Sequence, residues 1–418
     1  MGSLRVCLFL LLPVVTSALP VTLGGNSEQQ GAPGQFWHIS DLHLDFSYHL
    51  TDDHTKVCLS SKGVNASNPG IYGDFMCDAP YGLILSAIQF IKDSKQKVEF
   101  MIWTGDSPPH VPVNELSTKM VIEVIRNMTS TIRNLLPDML VFPALGNHDY
   151  WPQDQFPVSG SEIYTSVAEI WKPWLSEDAL CTFRKGGYYS QIYKSNKSSH
   201  SLRIISLNTN LYYGPNKVTV NITDPADQFA WLEETLQYSR QKNEKFYGHT
   251  HRDSIMILLD EKEKPVGSVF VAPAVTPIKS LSETDANNPG FRLYQYDTNS
   301  YDMLDLWHYY LNLTEANLRK QAPWMLEYIM TKEYNIKDLK PESLEELVKR
   351  FQMPKSTDYQ NYYKNYIVSY DNSDGCEGLC KGQQICAIQH VDAARYFNCI
   401  IHFLKLHNIV TENEVLRR

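Results

Sequence analysis

The chain has 418 residues, 38 basic against 47 acidic side chains and a formal net charge of −9, with 43% hydrophobic residues. That length suits one large domain with an appendage or two to three ordinary domains. With no extended run of Lys or Arg, this balance excludes bulk nucleic acid as a partner, though not a single nucleotide.

The chain opens with Arg5, the apolar run Val6–Val15 and the small residues Thr16, Ser17 and Ala18. This is the pattern of a cleaved signal peptide over residues 1–18, because the apolar run is too short to span a bilayer. Residues 19–34, rich in Gly, Pro and Ser, are expected to run extended before the fold begins. Sequons at Asn65, Asn127, Asn196, Asn221 and Asn312 agree with a secreted, extracellular or lysosomal glycoprotein. The last residues, Glu414–Arg418, carry no span or lipid-anchor signal, so a monomer without a membrane anchor is expected.

With Cys7 removed, proximity pairs Cys58 with Cys77, Cys376 with Cys380 and Cys386 with Cys399, leaving Cys181 free. A zinc ribbon from the last four cysteines has the wrong spacing.

In chain order, residues 35–40 read as a strand that delivers Asp41 and His43 at its end. A helix over 81–92 and a strand over 98–103 lead to Gly105 and Asp106; a helix over 114–136 and a strand over 139–145 lead to Asn147 and His148. A helix over 162–175, a strand over 202–207 and a helix over 226–239 follow, then His249 and His251 in a turn, and strands over 268–272 and 291–296. This alternation implies an α/β sheet with its chemistry at the strand ends. From about residue 312 the chain turns to amphipathic helices and the Cys-rich stretch Cys376–Cys399, read as a small helical domain over 312–418. The tyrosines of 359–370 lack interleaved basic residues, so they read as packing rather than base stacking.

Asp and His two residues apart at a strand end point the same way and can reach one ion. Asp41, His43, Asp106 and His251 form one candidate metal site; Asp106, Asn147 and His249 form a second, with Asp106 bridging. Carboxylates, imidazoles and a carboxamide suit zinc, manganese or iron, whereas calcium would want more oxygens. His110 and His148 lie in the same loops and are candidates to protonate a leaving oxygen.

Taken together, Asp41-Leu42-His43, Gly105-Asp106-Ser107-Pro108-Pro109-His110, Gly146-Asn147-His148-Asp149 and Gly248-His249-Thr250-His251 resemble the calcineurin-like metallophosphoesterases, in particular the acid sphingomyelinase group. The histidine after Gly-Asp-Ser-Pro-Pro is the discriminating feature. The resemblance implies an α/β sheet sandwich flanked by helices over 35–311, two zinc ions at the sites above and catalytic roles for His110 and His148. It also implies hydrolysis of phosphodiester or phosphoanhydride bonds in nucleotides and related small molecules. The chain lacks the Cys-rich saposin-type domain that extracts lipid, which makes sphingomyelin the weaker candidate. A purple acid phosphatase is disfavoured, since no tyrosine ligand accompanies the first aspartates.

One departure from the family pattern is large. Between the Gly146 and Gly248 motifs such enzymes carry another strand ending in a histidine ligand, then a further helix and strand. Here Gln241–Lys245 runs directly into Phe246, and the intervening histidine, His200, sits in a polar run beside a sequon. A parallel crossover needs about ten residues or more. A block of about one crossover unit is therefore expected to be missing after Lys245, with the second metal held by three protein ligands and catalysis impaired. The alternative is a catalytically weak or inactive secreted glycoprotein of the same family.

Overall fold

The computed structural model describes residues 33–195, 198, 201–241, 250–251, 253–279, 286–371 and 375–406, with backbone alone for 240, 241, 250 and 251. The expected leader, Asn196, His200, Lys245, Phe246 and His249 lie outside the described residues, as does the side chain of His251.

The first half alternates β1 (Gly34–Ile39), α1 (Tyr81–Asp93), β2 (Phe100–Trp103), α2 (Thr118–Leu135), β3 (Val141–Pro143), α3 (Glu162–Trp171) and α4 (Glu177–Gly186). Next come β4 (Tyr189–Tyr193), β5 (Leu202–Ser206), α5 (Gln228–Gln241), β6 (Thr250–His251), β7 (Ser254–Leu259), β8 (Pro265–Ala272), β9 (Gly290–Tyr296) and β10 (Met303–Tyr310). The last part holds α6 (Leu313–Arg319), β11 (Met325–Ile329), α7 (Met330–Glu333), α8 (Pro341–Phe351), α9 (Thr357–Tyr366), α10 (Leu379–Gln389) and α11 (Ala393–Leu406).

The main sheet has six strands in the order β11-β10-β9-β1-β2-β3. β1, β2 and β3 are parallel, while β9, β10 and β11 add antiparallel. β1 is buried along its whole length, so both faces carry large rings. Phe36 stacks between Phe100 and Tyr294 at 4.9 Å on either side, and these are its partners in register on β2 and β9. On the opposite face Trp37 meets Phe291 and Tyr309 edge-on. This places the ends of β1, β2 and β3 side by side, and those ends lead to Asp41, Asp106 and Asn147.

A two-stranded sheet β4-β5 and a three-stranded sheet β6-β8-β7 stand apart from it. β6 has only two residues and pairs in parallel with β8.

Several expected bounds shift for local reasons. α2 starts at Thr118 because the Ser117 hydroxyl caps it by accepting from the Met120 amide. α3 ends at Trp171, just ahead of Pro173. The strand expected over 139–145 narrows to β3 as the chain leaves the sheet for the metal turn. Ala226 and Asp227 have positive φ, so α5 begins at Gln228. The region from 312 is not purely helical, since β11 returns to the main sheet and pairs with β10. The disulfides Cys58–Cys77, Cys376–Cys380 and Cys386–Cys399 form, and Cys181 is free. Tyr359 and Tyr362 are buried against Phe351, as packing required.

Candidate metal centre

The centre begins with backbone strain. Asp41 (φ 51°), His43 (φ 35°) and Asp106 (φ 55°) all sit in the left-handed region that side chains other than glycine avoid. Inter-strand bonds hold them there: Asp41 N donates to Gly105 O at 3.2 Å, His43 N to Asp106 O at 2.9 Å and Leu44 N to Ser107 O at 2.8 Å. Gly146 has to be glycine, because a Cβ there would lie 2.2 Å from Asp106 Oδ1. The turns after β1, β2 and β3 are thus pressed together backbone to backbone.

Their side chains converge. Ligand atoms of Asp41, His43 and Asp106 lie within 4.8 Å of one another. His43 Nε2 is 3.6 Å from Asp41 Oδ1 and 3.9 Å from Asp106 Oδ2. Its Nδ1 faces Pro108 O at 2.7 Å, which leaves Nε2 for the centre. Burial alone would lower the His43 pKa, but Asp41, Asp106 and Asp78 around it push it up to about 10. Two carboxylates and one imidazole converging in this buried pit fit a borderline divalent cation. Asn147 donates Nδ2 to Asp154 at 2.9 Å, so its Oδ1 is the atom left for an ion.

His110 and His148 cover this group, their ring centres 4.1 Å apart and 4.2 and 4.9 Å from the His43 ring. Asp78, fully buried, accepts from the His110 amide at 2.6 Å and lies 3.0 Å from its Nδ1. The Thr276 hydroxyl donates to the same carboxylate at 3.1 Å. Burial would raise the Asp78 pKa, yet the neighbouring His110 and His43 keep it below the usual carboxylate range. Burial, with His110 and His43 nearby, keeps the His148 pKa well below the usual value. Its Nε2 is 3.0 Å from Gln153 Nε2 and its amide donates to Asp106 Oδ1 at 2.7 Å.

Sequence reasoning missed Asp78, Asp149 and Gln153. Asp149 ties two turns together, accepting from the amides of Asp106 (2.8 Å), Ser107 (2.9 Å) and Gly146 (2.9 Å). Burial and the adjacent Asp106 push its pKa up to about 6. Asp149 was visible as the last residue of its motif. Asp78 lies 32 residues before His110, and nothing local marks it.

The profile of the calcineurin-like phosphoesterase family matches residues 34–275, and that of the acid sphingomyelin phosphodiesterase C-terminal region matches residues 264–405. The chain is 55% identical to the Homo sapiens protein named cyclic GMP-AMP phosphodiesterase SMPDL3A, with 93% of this chain and 95% of that protein covered. It is 53% identical to the Mus musculus protein of the same name, covering 90% and 93%. Identity to the Homo sapiens acid sphingomyelinase-like phosphodiesterase 3b is 36%, covering 88% and 90%. The first alignment spans 433 positions but draws on 93% of 418 residues, about 389, so about 44 positions have no counterpart in this chain. The chain is a member of the calcineurin-like phosphoesterase family in its acid sphingomyelinase branch, a metal-dependent phosphodiester hydrolase by descent.

Proposed function

We propose that this chain is a secreted, zinc-dependent phosphodiesterase for soluble nucleotide-like substrates whose catalysis is weakened by an incomplete second metal site. The observation that carries it is the convergence of Asp41, His43 and Asp106 beneath His110 and His148. Four relatives at 53–55% identity are named for cyclic GMP-AMP, which makes a phosphodiester between two nucleosides the first substrate to try.

Asp41, His43, Asp106 and His251 would hold one zinc, and Asp106, Asn147 and His249 the other. When bound, zinc supplies a hydroxide nucleophile near neutral pH and offsets charge on the phosphate. The chain's own residues do the rest. Asp149, through three backbone amides, sets the spacing of the Asp106 and Asn147 turns. Asp78 occupies His110 Nδ1, which leaves Nε2 to face the phosphate and pass a proton to the leaving oxygen. His148, kept neutral by burial, is suited to bond the phosphate as an uncharged ring and to exchange a proton with His110 beside it.

The second reading, a glycoprotein of the family with little catalysis, draws on the about 44 unmatched positions and on the crossover expected after Lys245. One experiment separates the two. Purified secreted protein is assayed for zinc content and for hydrolysis of a chromogenic phosphodiester and of cyclic GMP-AMP. Zinc near one per chain with measurable turnover supports the first reading. Folded protein that turns over neither substrate, with or without zinc, supports the second and defeats the first.

A further inference from the structure

A second cluster of charges lies outside the catalytic centre. Asp253 precedes β7 by one residue and follows His251 by two. Its Oδ1 accepts from Arg292 Nη2 on β9 and from the Tyr328 hydroxyl on β11 at 3.2 Å. Its Oδ2 lies 2.8 Å from His308 Nδ1 on β10, which is also 3.0 Å from Glu327 Oε2 on β11. Ser369 donates to the other Glu327 oxygen. Asp253, Arg292 and His308 are 5%, 1% and 0% exposed. A Cβ on Gly290 would come within 2.6 Å of His308 Nε2, so the ring is wedged against backbone.

The group could be a metal site, since Asp253, His308 and Glu327 each offer a ligand atom within 4.8 Å of the others. Charge argues against it. Arg292 already balances one carboxylate, and a proton on His308 balances the other. A divalent ion would leave surplus positive charge in a buried place.

Burying four charges seldom stabilises a fold more than apolar residues of the same shape would, so their position calls for a different account. Among the described residues, β6 places the His251 backbone beside β8 through the pairs Thr250 with Val271 and His251 with Ala272. Asp253, two residues after His251, is tied to three strands of the main sheet at once. We propose that the Asp253–Arg292–His308–Glu327 network is a positioning device for the backbone at His251, and that through Glu327 the region after residue 312 forms part of the metal centre's framework. The proposal rests on the assignment of His251 as a ligand.

The test uses the full chain loaded with zinc, as wild type, Asp253→Asn, Glu327→Gln and Ile125→Val. Each is dialysed against a chelator series well below its own Tm, and zinc per chain is measured. Ile125 is fully buried on α2, outside the cluster, and controls for lost stability. Asp253→Asn should release zinc at about tenfold lower chelator, with Glu327→Gln shifted in the same direction by less, and Ile125→Val should match wild type. If Asp253→Asn does not fold, Glu327→Gln carries the test alone. Release curves that superimpose on wild type whatever the Tm, or an Ile125→Val shift equal to the others, overturn the proposal. Wild type that binds no zinc overturns the metal assignment with it.

Discussion

The sheet half built from β1, β2 and β3 and the half built around α5, β7 and β8 differ in how well their apolar residues are covered. α2 buries Val121, Ile125, Met128 and Ile132 completely against its neighbours. In α5 the buried side chains among the described residues are polar, Gln228 and Ser239, while Phe229 and Tyr238 are 40% and 50% exposed. Val266 on β8 is 56% exposed, although β8 is the central strand of its sheet. Half-covered apolar residues mark this as the less tightly packed of the two regions among the described residues. The first half also carries a tightly assembled set of candidate ligands, whereas the described part of the second is less well covered.

The sharpest way to break this contrast is Asp106→Ala. Asp106 belongs to the well-built half yet is assigned to both metals, so the variant should lose all tightly held zinc and at least about a thousandfold in turnover. Elemental analysis that still finds one ion would remove its bridging role.

Next in size is repair. Inserting a strand, a histidine, a helix and a strand between Lys245 and Phe246 should raise turnover per molecule and secreted yield by about tenfold or more, because a ligand and interior pairing return together. Equal yield and turnover in both forms, compared in one secretory host, would show the segment to be dispensable.

Packing gives a smaller and more direct comparison. Ile125→Ala should cost about 2 to 5 kcal/mol, whereas Leu236→Ala, half-buried on α5, should cost less than about 1 kcal/mol. Denaturant midpoints report both, and equal losses would mean that α5 is as well packed as α2.

The smallest expected effect is on pH. Burial would lower the His308 pKa, but Asp253 and Glu327 carry it up to about 9 from 6.5. The folded state therefore binds this proton more tightly than the unfolded chain, and its contribution is complete below about pH 6.5 and fades as pH rises through about 9. The Tm should fall over that window, and His308→Gln should flatten the decline. A wild-type Tm independent of pH between 6.5 and 9 would count against a charged His308.

Legibility followed locality. β1, α1, α2 and β3 were readable because an apolar period and a turn residue coincide within one stretch of chain. α4, with its Ser176 cap, went unread between two stronger signals, and so did β4, β7 and β10. β11 was misplaced because Met325–Ile329 looks like part of a helical tail until β10 supplies its partner. The convergence of Asp41, His43 and Asp106 was readable because each motif holds its candidate ligand and its turn together. Asp78 and the Asp253 network were not, since their partners on β9, β10 and β11 or in the Pro108 loop become neighbours only after long-range pairing.

The Cys58–Cys77 bond ends one residue before Asp78, the carboxylate that orients His110. Closing that 19-residue separation removes about 3 kcal/mol of chain freedom from the stretch that must come back to the metal turns. A thiol-rich compartment would leave the stretch unclosed, with Ser60, Thr276 and the His110 amide still bonded to Asp78. Forming the disulfide would therefore help to fix Asp78 beside His110, so that a reduced copy would keep the Asp41, His43 and Asp106 group yet hold His110 less firmly.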